Sequence, residues 1–191
     1  MPPPIDHRTR WLTRVAVLTS LGLVLFLFES LIPRPLPWVK PGLANMATMV
    51  ALYTLGATAA GAVAILRCLL GSLLSGSMLS PAFWLSLAGS AAAVTVMIIM
   101  RCYAGAWFSV VGVGLAGAFA HMVAQVAVAA LWIVGDSRIL VLVPTMLLSA
   151  VMTGLVVGYA TYLILLRLAP ETVLEAPAAG RTRVPEQAQP D

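Results

Sequence analysis

The sequence predicts an all-α integral membrane protein, built as a six-helix transmembrane bundle with short helices 2 and 3. Three observations predict it. The 191 residues are 61% hydrophobic and only 9% charged, with mean hydropathy +0.99. A soluble domain carries roughly a quarter charged residues, so this chain has too little to cover a soluble surface. Prolines, glycines and short polar runs divide the apolar sequence from about Trp11 to Leu168, and a membrane-spanning helix needs about 20 mostly apolar residues. The basic residues sit in the flanks and loops, where orientation determinants sit. No large soluble domain fits. The net charge of +4 is an orientation signal and points to no nucleic acid.

Residues 1–10 read as a polar cytoplasmic leader. Arg8, Arg10 and Arg14 before an apolar stretch resemble a signal peptide. However, the run ends in Glu29 and a proline cluster with no small-x-small cleavage site, which predicts a retained helix 1 over 11–32. Pro33, Pro35, Pro37 and Pro41 break it and stiffen the following loop. Gly42 to Leu74 is a run of 33 residues, long for one span and short for two. Gly56 and Gly61 offer a turn, so two short helices are expected, 42–55 and 58–74. Such helices are tolerated where they are buried in protein or line a cavity.

"SGSMLSP" (75–81) reads as a loop, with Pro81 in the first turn of helix 4, 81–100. "RCYAG" reads as a short loop, helix 5 as 106–134, "GDSR" (135–138) as a turn and helix 6 as 141–168 with Pro144 in its first turn. The transmembrane domain is thus 11–168. Residues 169–191, rich in Pro, Ala, Glu and Gln, form an expected disordered cytoplasmic tail.

Six spans put both termini on one side. With the N-terminus inside, the inner cations are the seven residues Arg8, Arg10, Arg14, Arg101, Arg167, Arg181 and Arg183. The outer ones are the three residues Arg34, Lys40 and Arg138, and Arg67 lies within a helix. This asymmetry predicts cytoplasmic termini in a bacterial-type cytoplasmic (inner) membrane.

In that orientation Glu29, Asn45, Arg67, Ser86, Ser90 and Gln125 all fall in the outer half of the bilayer, with His121 near the midplane. His121 and Gln125 are four apart and share a helix face. A charge at the bilayer centre costs roughly 2.5–3.5 kcal/mol, so Arg67 should face the interior beside a partner. Glu29 is the only acidic residue within a predicted span. The coincidence of depth predicts an outward-facing polar pocket roofed by the proline loop. Each residue also has a structural reading. Glu29 could snorkel, Glu29 and Arg67 could be an ion pair, His121 could tie helices, and Asn45 could cap or glue them. Serines in spans usually pack, so Ser86 and Ser90 carry little weight.

"GVGLAG" (112–117), with Asp136 following, is a literal G-x-G-x-x-G, but a dinucleotide site needs a strand before it. Inside an apolar stretch these glycines predict close helix packing, as does Gly154-x-x-x-Gly158. Ala16-x-x-x-Ser20 is small-x-x-x-small on helix 1 and suits a partner helix. Cys68 and Cys102, 34 residues apart, match no metal spacing and read as free thiols. Asp6, Asp136 and Asp191 are isolated. A hard cation carrying a diphosphate needs several carboxylate oxygens, so no metal site, no cofactor and no catalytic role are expected.

"ESLIPRPLPWVKPGLAN", "RCLLGSLLSGS", "LSLAGS" and "GAFAHMVAQ", in that order, resemble the family named heptaprenyl diphosphate synthase component I, also called the Gx transporter family. The resemblance is good over about Phe28 to Ala130 and looser over helix 6. The family pattern falls on Glu29, Pro35, Pro37, Lys40, Gly42, Asn45, Arg67, Gly76, Ser86, Gly89, Gly117, His121 and Gln125. One departure is Met122, where the family often has asparagine. If that asparagine touches ligand, the ligand set here differs.

The family is similar to the substrate-binding (S) components of energy-coupling factor vitamin transporters. The resemblance therefore implies an S-component-like bundle with cytoplasmic termini and an outer pocket under the first loop. It also implies that small residues on helix 1 meet a transmembrane coupling subunit. Some members resemble parts of flavin-linked extracellular electron transfer.

The expected function is a membrane-embedded substrate-binding subunit of a transporter for a small, vitamin- or cofactor-like molecule. Glu29 and Arg67 would form the ionic centre, with Asn45, His121 and Gln125 reading the substrate. Pro35, Pro37 and Lys40 would belong to the lid, and Ala16 and Ser20 to the partner face. The partners implied are the lipid bilayer and either a coupling subunit with ATPases or an electron-transfer assembly. The alternatives are a non-catalytic accessory in polyprenyl diphosphate or quinone metabolism or in electron transfer, and an ion or proton carrier using Glu29 and His121.

Overall fold

A computed structural model describes residues 6–31, 42–104, 107–134, 141 and 143–168. They form α1 (His7–Leu31), α2 (Ala44–Thr54), α3 (Ala57–Leu74), α4 (Pro81–Tyr103), α5 (Val110–Val128) and α6 (Val143–Leu168). A π-helical turn (Ala129–Val134) extends α5. Five helices, all but α2, are long and apolar enough to cross a membrane.

The shortest helix is the most buried. Nine of the 11 residues of α2 are shielded from solvent and lipid. It packs on α1, α3, α6 and α4, so the long helices surround it. At 1.5 Å per residue it is about 16 Å long, half the roughly 30 Å of a bilayer's hydrocarbon core. Its sequence, ANMATMVALYT, has no apolar stripe because every side meets protein. The core is built around it, with Met49 and Ala51 packed among Val63, Met97, Val113 and Leu165.

The expected turn falls at Leu55–Gly56. Gly56 adopts φ +94° and Ala51 O accepts from both Leu55 N (2.8 Å) and Gly56 N (3.1 Å). The left-handed conformation, not crowding, requires this glycine. Gly61 is inside α3, which at 18 residues is a full span, not the short helix expected.

Other boundaries move for local reasons. α1 starts at His7, a turn earlier than read, with Arg10 N donating to Asp6 O at 3.1 Å. Its arginines are exposed, a setting where a long cationic side chain does not oppose a helix. "RCY" is helix, not loop. Arg101 sits in the last turn of α4, where a cation complements the helix dipole, and its guanidinium lies 5.0 Å from the Tyr53 ring centre. α4 begins as read, with Pro81 in the first turn behind a Ser80 cap. α5 starts at Val110 because the Ser109 hydroxyl caps it, accepting from Gly112 N at 3.2 Å. Both cysteines are free thiols, Cys68 buried and Cys102 exposed.

Glycines set the distance between α5 and α6. A Cβ built on Gly114 would lie 2.8 Å from Gly158 Cα, and one on Gly158 would lie 2.9 Å from Val111 Cα. One on Gly154 would lie 2.8 Å from Leu115 Cα, and one on Gly117 would collide with the Met97 side chain of α4. The G-x-G-x-x-G is therefore a packing surface, with Gly112 outside the contact. Aromatic rings mark the helix ends. Trp84 makes edge contacts with Phe83 and with Trp132 of the π-helical turn.

Candidate functional site

The buried face of α1 is narrow: Val15, Thr19, Gly22 and Glu29, at helical spacing, with Phe26 between them. Its last member meets the start of α2. Leu43, the N-cap residue of α2, supplies no side-chain cap. Instead the Glu29 Oε1 atom accepts from Ala44 N at 3.2 Å. A carboxylate from one helix thus caps the next, where the helix dipole favours negative charge.

At the next residue, Asn45 faces Arg67. The Arg67 Nη2 atom donates to Asn45 Oδ1 at 2.9 Å and to Ser90 Oγ at 3.1 Å, joining α2, α3 and α4. Its aliphatic stem passes over Gly22 of α1, where a Cβ would lie 2.9 Å from Arg67 Cδ. Arg67 is 5% exposed, and its Nε has no hydrogen-bond partner. The Glu29 carboxylate lies within Coulombic reach. The expected Glu29–Arg67 pairing is thus indirect: the hydrogen bonds of Arg67 go to Asn45 and Ser90. A guanidinium has more donors than one carboxylate can take, and α2 uses a Glu29 oxygen first.

The fifth helix joins across Gly89. A Cβ there would lie 2.8 Å from His121 Nε2 and 3.0 Å from Gln125 Cγ, so these side chains lie against bare α4 backbone beside Ser90. One turn nearer the start of α4, Cys68 Sγ donates to Ser86 Oγ at 3.6 Å.

These groups surround one cavity of about 50 Å³. Glu29, Asn45, Arg67, His121 and Gln125 all line it, with Ser86, Ser90 and Thr153, and with Phe26, Met97, Met122 and Val157 as apolar wall. It lies toward the end of the molecule where α1 finishes and α2 starts. A water needs roughly 10–15 Å³ of such volume, so the cavity admits a few waters or one polar group. Ligand sites for drug-sized molecules run to roughly 300–1,000 Å³.

Of the remaining predicted residues, Pro35, Pro37 and Lys40 lie outside the described residues. Ala16 and Ser20 lie on the exposed side of α1, where the Ser20 hydroxyl donates to Ala16 O at 2.9 Å. Sequence reasoning undervalued Ser90, a direct partner of Arg67. It also passed over Thr153 and Gly22. The signal for Gly22 was its place three or four residues from Thr19 and Phe26 on one α1 face. Among the described residues, no group of three or more His, Cys, Asp or Glu converges as a metal site would.

The fold and cavity define a multi-pass helical membrane protein with a buried polar cluster near one end. Residues 18–164 match the family model described as heptaprenyl diphosphate synthase component I, and the chain belongs to that family. No curated protein and no solved structure matches it.

Proposed function

We propose that this protein is the membrane-embedded substrate-binding subunit of a small-molecule transporter, and that the cavity is its recognition site. The observation that carries this reading is the convergence of Glu29, Asn45, Arg67, Ser90, His121 and Gln125, from five helices, on one buried space. Packing in a bilayer requires none of these groups, and a buried charge there is costly. Arg67 is the ionic centre, with Asn45, His121 and Gln125 as hydrogen-bonding groups. A void of about 50 Å³ takes the polar head of a vitamin- or cofactor-like molecule, so the rest of the ligand requires a wall to move.

The positive-inside asymmetry supports cytoplasmic termini and an outward-facing site. The exposed Ala16 and Ser20 face of α1 suits a coupling subunit that brings ATPases, or an electron-transfer assembly.

The small void and the family description favour a second reading. The chain would then be a non-catalytic membrane partner of a second synthase component, with the polar cluster a hydrated staple between helices.

The two readings separate in one experiment. The purified protein is screened by thermal shift against vitamin- and cofactor-like compounds, and hits are repeated on Arg67→Ala and His121→Ala. The transporter reading expects a stabilising compound whose effect both substitutions remove. A screen without hits, together with tight co-purification of a prenyl synthase subunit, would replace it with the second reading.

A further inference from the structure

Resting on the substrate-binding reading, we infer that the substrate carries a planar ring, and that this ring binds in the place of the Phe26 side chain, over Gly71 and beside Arg67. The polar cavity is then one half of the site, and the α1–α3 seam is the other.

The need for a second half comes from size. A void of about 50 Å³ holds a polar head group and little more. The rest of the molecule takes space that a side chain now fills. Around the cavity, the lining side chains seated on bare glycine are Arg67 on Gly22, His121 and Gln125 on Gly89, Met97 on Gly117 and Phe26 on Gly71. The first three are polar and read the head group. Met97 is fully buried in the main core cluster, so turning it aside disturbs the core. Phe26 is only partly buried and stands outside that cluster. It belongs to α1, the least buried of the five spans, which packs mainly on α2 and α3. Its ring turns to another rotamer on the lipid side without entering the core.

The shape comes from Gly71. A Cβ built there would lie 2.9 Å from both Cδ1 and Cε1 of Phe26. The ring therefore meets the α3 backbone along a whole ring bond, and what it vacates is a ring-sized slot floored by backbone. Arg67 and Gly71 are four residues apart on one face of α3. On α1 the reciprocal pair, Phe26 and Gly22, is four apart as well. A ring over Gly71 thus lies alongside Arg67, whose planar guanidinium stacks on aromatic faces. A saturated ring is thicker and has no π face, so it gains neither the slot nor the stacking.

The test uses two probes with one head group. Benzamide has a flat ring, and cyclohexanecarboxamide has a puckered one. Their affinities are measured by calorimetry on the purified full-length protein: wild type, Phe26→Ala and Phe26→Ala/Gly71→Ala. Phe26→Ala vacates the slot and should bind benzamide at least about tenfold more tightly than wild type. In that variant cyclohexanecarboxamide should bind at least about tenfold more weakly than benzamide. Adding Gly71→Ala puts a methyl into the slot and should abolish the gain. The wild type gives a readout that needs no core variant. Labelled with 4-fluorophenylalanine it carries five fluorine probes, and the Phe26 signal is the one missing from Phe26→Leu. Benzamide should move that signal, and cyclohexanecarboxamide should leave it in place.

Equal binding of the two amides by Phe26→Ala overturns the inference and leaves the binding reading standing. So does a gain that survives Gly71→Ala. A Phe26 signal unmoved by benzamide up to its solubility limit, in a protein that binds another compound of the vitamin- and cofactor-like screen, has the same meaning. Failure of both amides and of every screened compound to bind overturns both the inference and the reading beneath it.

Discussion

Two seams of this bundle are built on glycine in different ways. Between α5 and α6, backbone meets backbone: Gly158 faces Val111 Cα and carbonyl oxygen, and Gly114 faces Gly158 itself. Between α1 and α3, backbone meets side chain: Gly22 makes room for the Arg67 stem, and Gly71 for the Phe26 ring. In the first seam the nearest atoms are backbone, which has no rotamer to yield. The second is filled by side chains that have other rotamers. The polar cavity lies against the second seam, so α1 is the wall that can move without tearing apart the packing between α5 and α6.

The largest expected effect tests the polar seam. Arg67→Met removes the bonds to Asn45 and Ser90 at a buried site and takes away a charge that interacts with Glu29. It should cost about 3–5 kcal/mol, read as a loss of stability in a detergent unfolding assay. A loss under about 1 kcal/mol would mean that Arg67 holds nothing together.

Gly158→Ala comes next, at about 2–3 kcal/mol, because its methyl meets Val111 backbone. Trimming the Val111 side chain should not rescue it. Gly71→Ala should cost about 1–2 kcal/mol, and here Phe26→Leu should restore part of the loss. A double-mutant cycle reads this as a coupling above about 0.5 kcal/mol. Additive losses would show that Phe26 is not what fills Gly71.

The smallest effect concerns the cap. Glu29→Gln retains an oxygen for Ala44 N and should cost under about 1 kcal/mol, whereas Glu29→Ala should cost about 1–2. Equal losses from the two would shift the role of Glu29 from hydrogen bond to charge.

Hydrophobic run lengths and Pro/Gly punctuation made the helical order readable, because a bilayer allows few other solutions. The Leu55–Gly56 turn was readable for the same reason. The ends of α1, α4 and α5 were not, since they depend on caps and interfacial side chains such as Ser109 and Arg101. The gathering of Glu29, Asn45, Arg67, His121 and Gln125 could be approached from depth along each helix. Depth, however, carries no rotation about the helix axis. It therefore could not tell that Arg67 would turn to Asn45 and Ser90, or that Glu29 would cap α2.

The burial of α2 has a consequence for how the protein is made. Eleven residues are too few to span on their own, and their burial on every side needs α6, which follows them in the chain by about ninety residues, as well as α1 and α3. Together with α3, α2 enters the bilayer as part of one 33-residue hydrophobic run. It packs against α1, α3 and α4, and the side that faces α6 is covered only when that later helix arrives. A chain truncated before Val143 should therefore leave the membrane-inserted product with one side of its central helix uncovered.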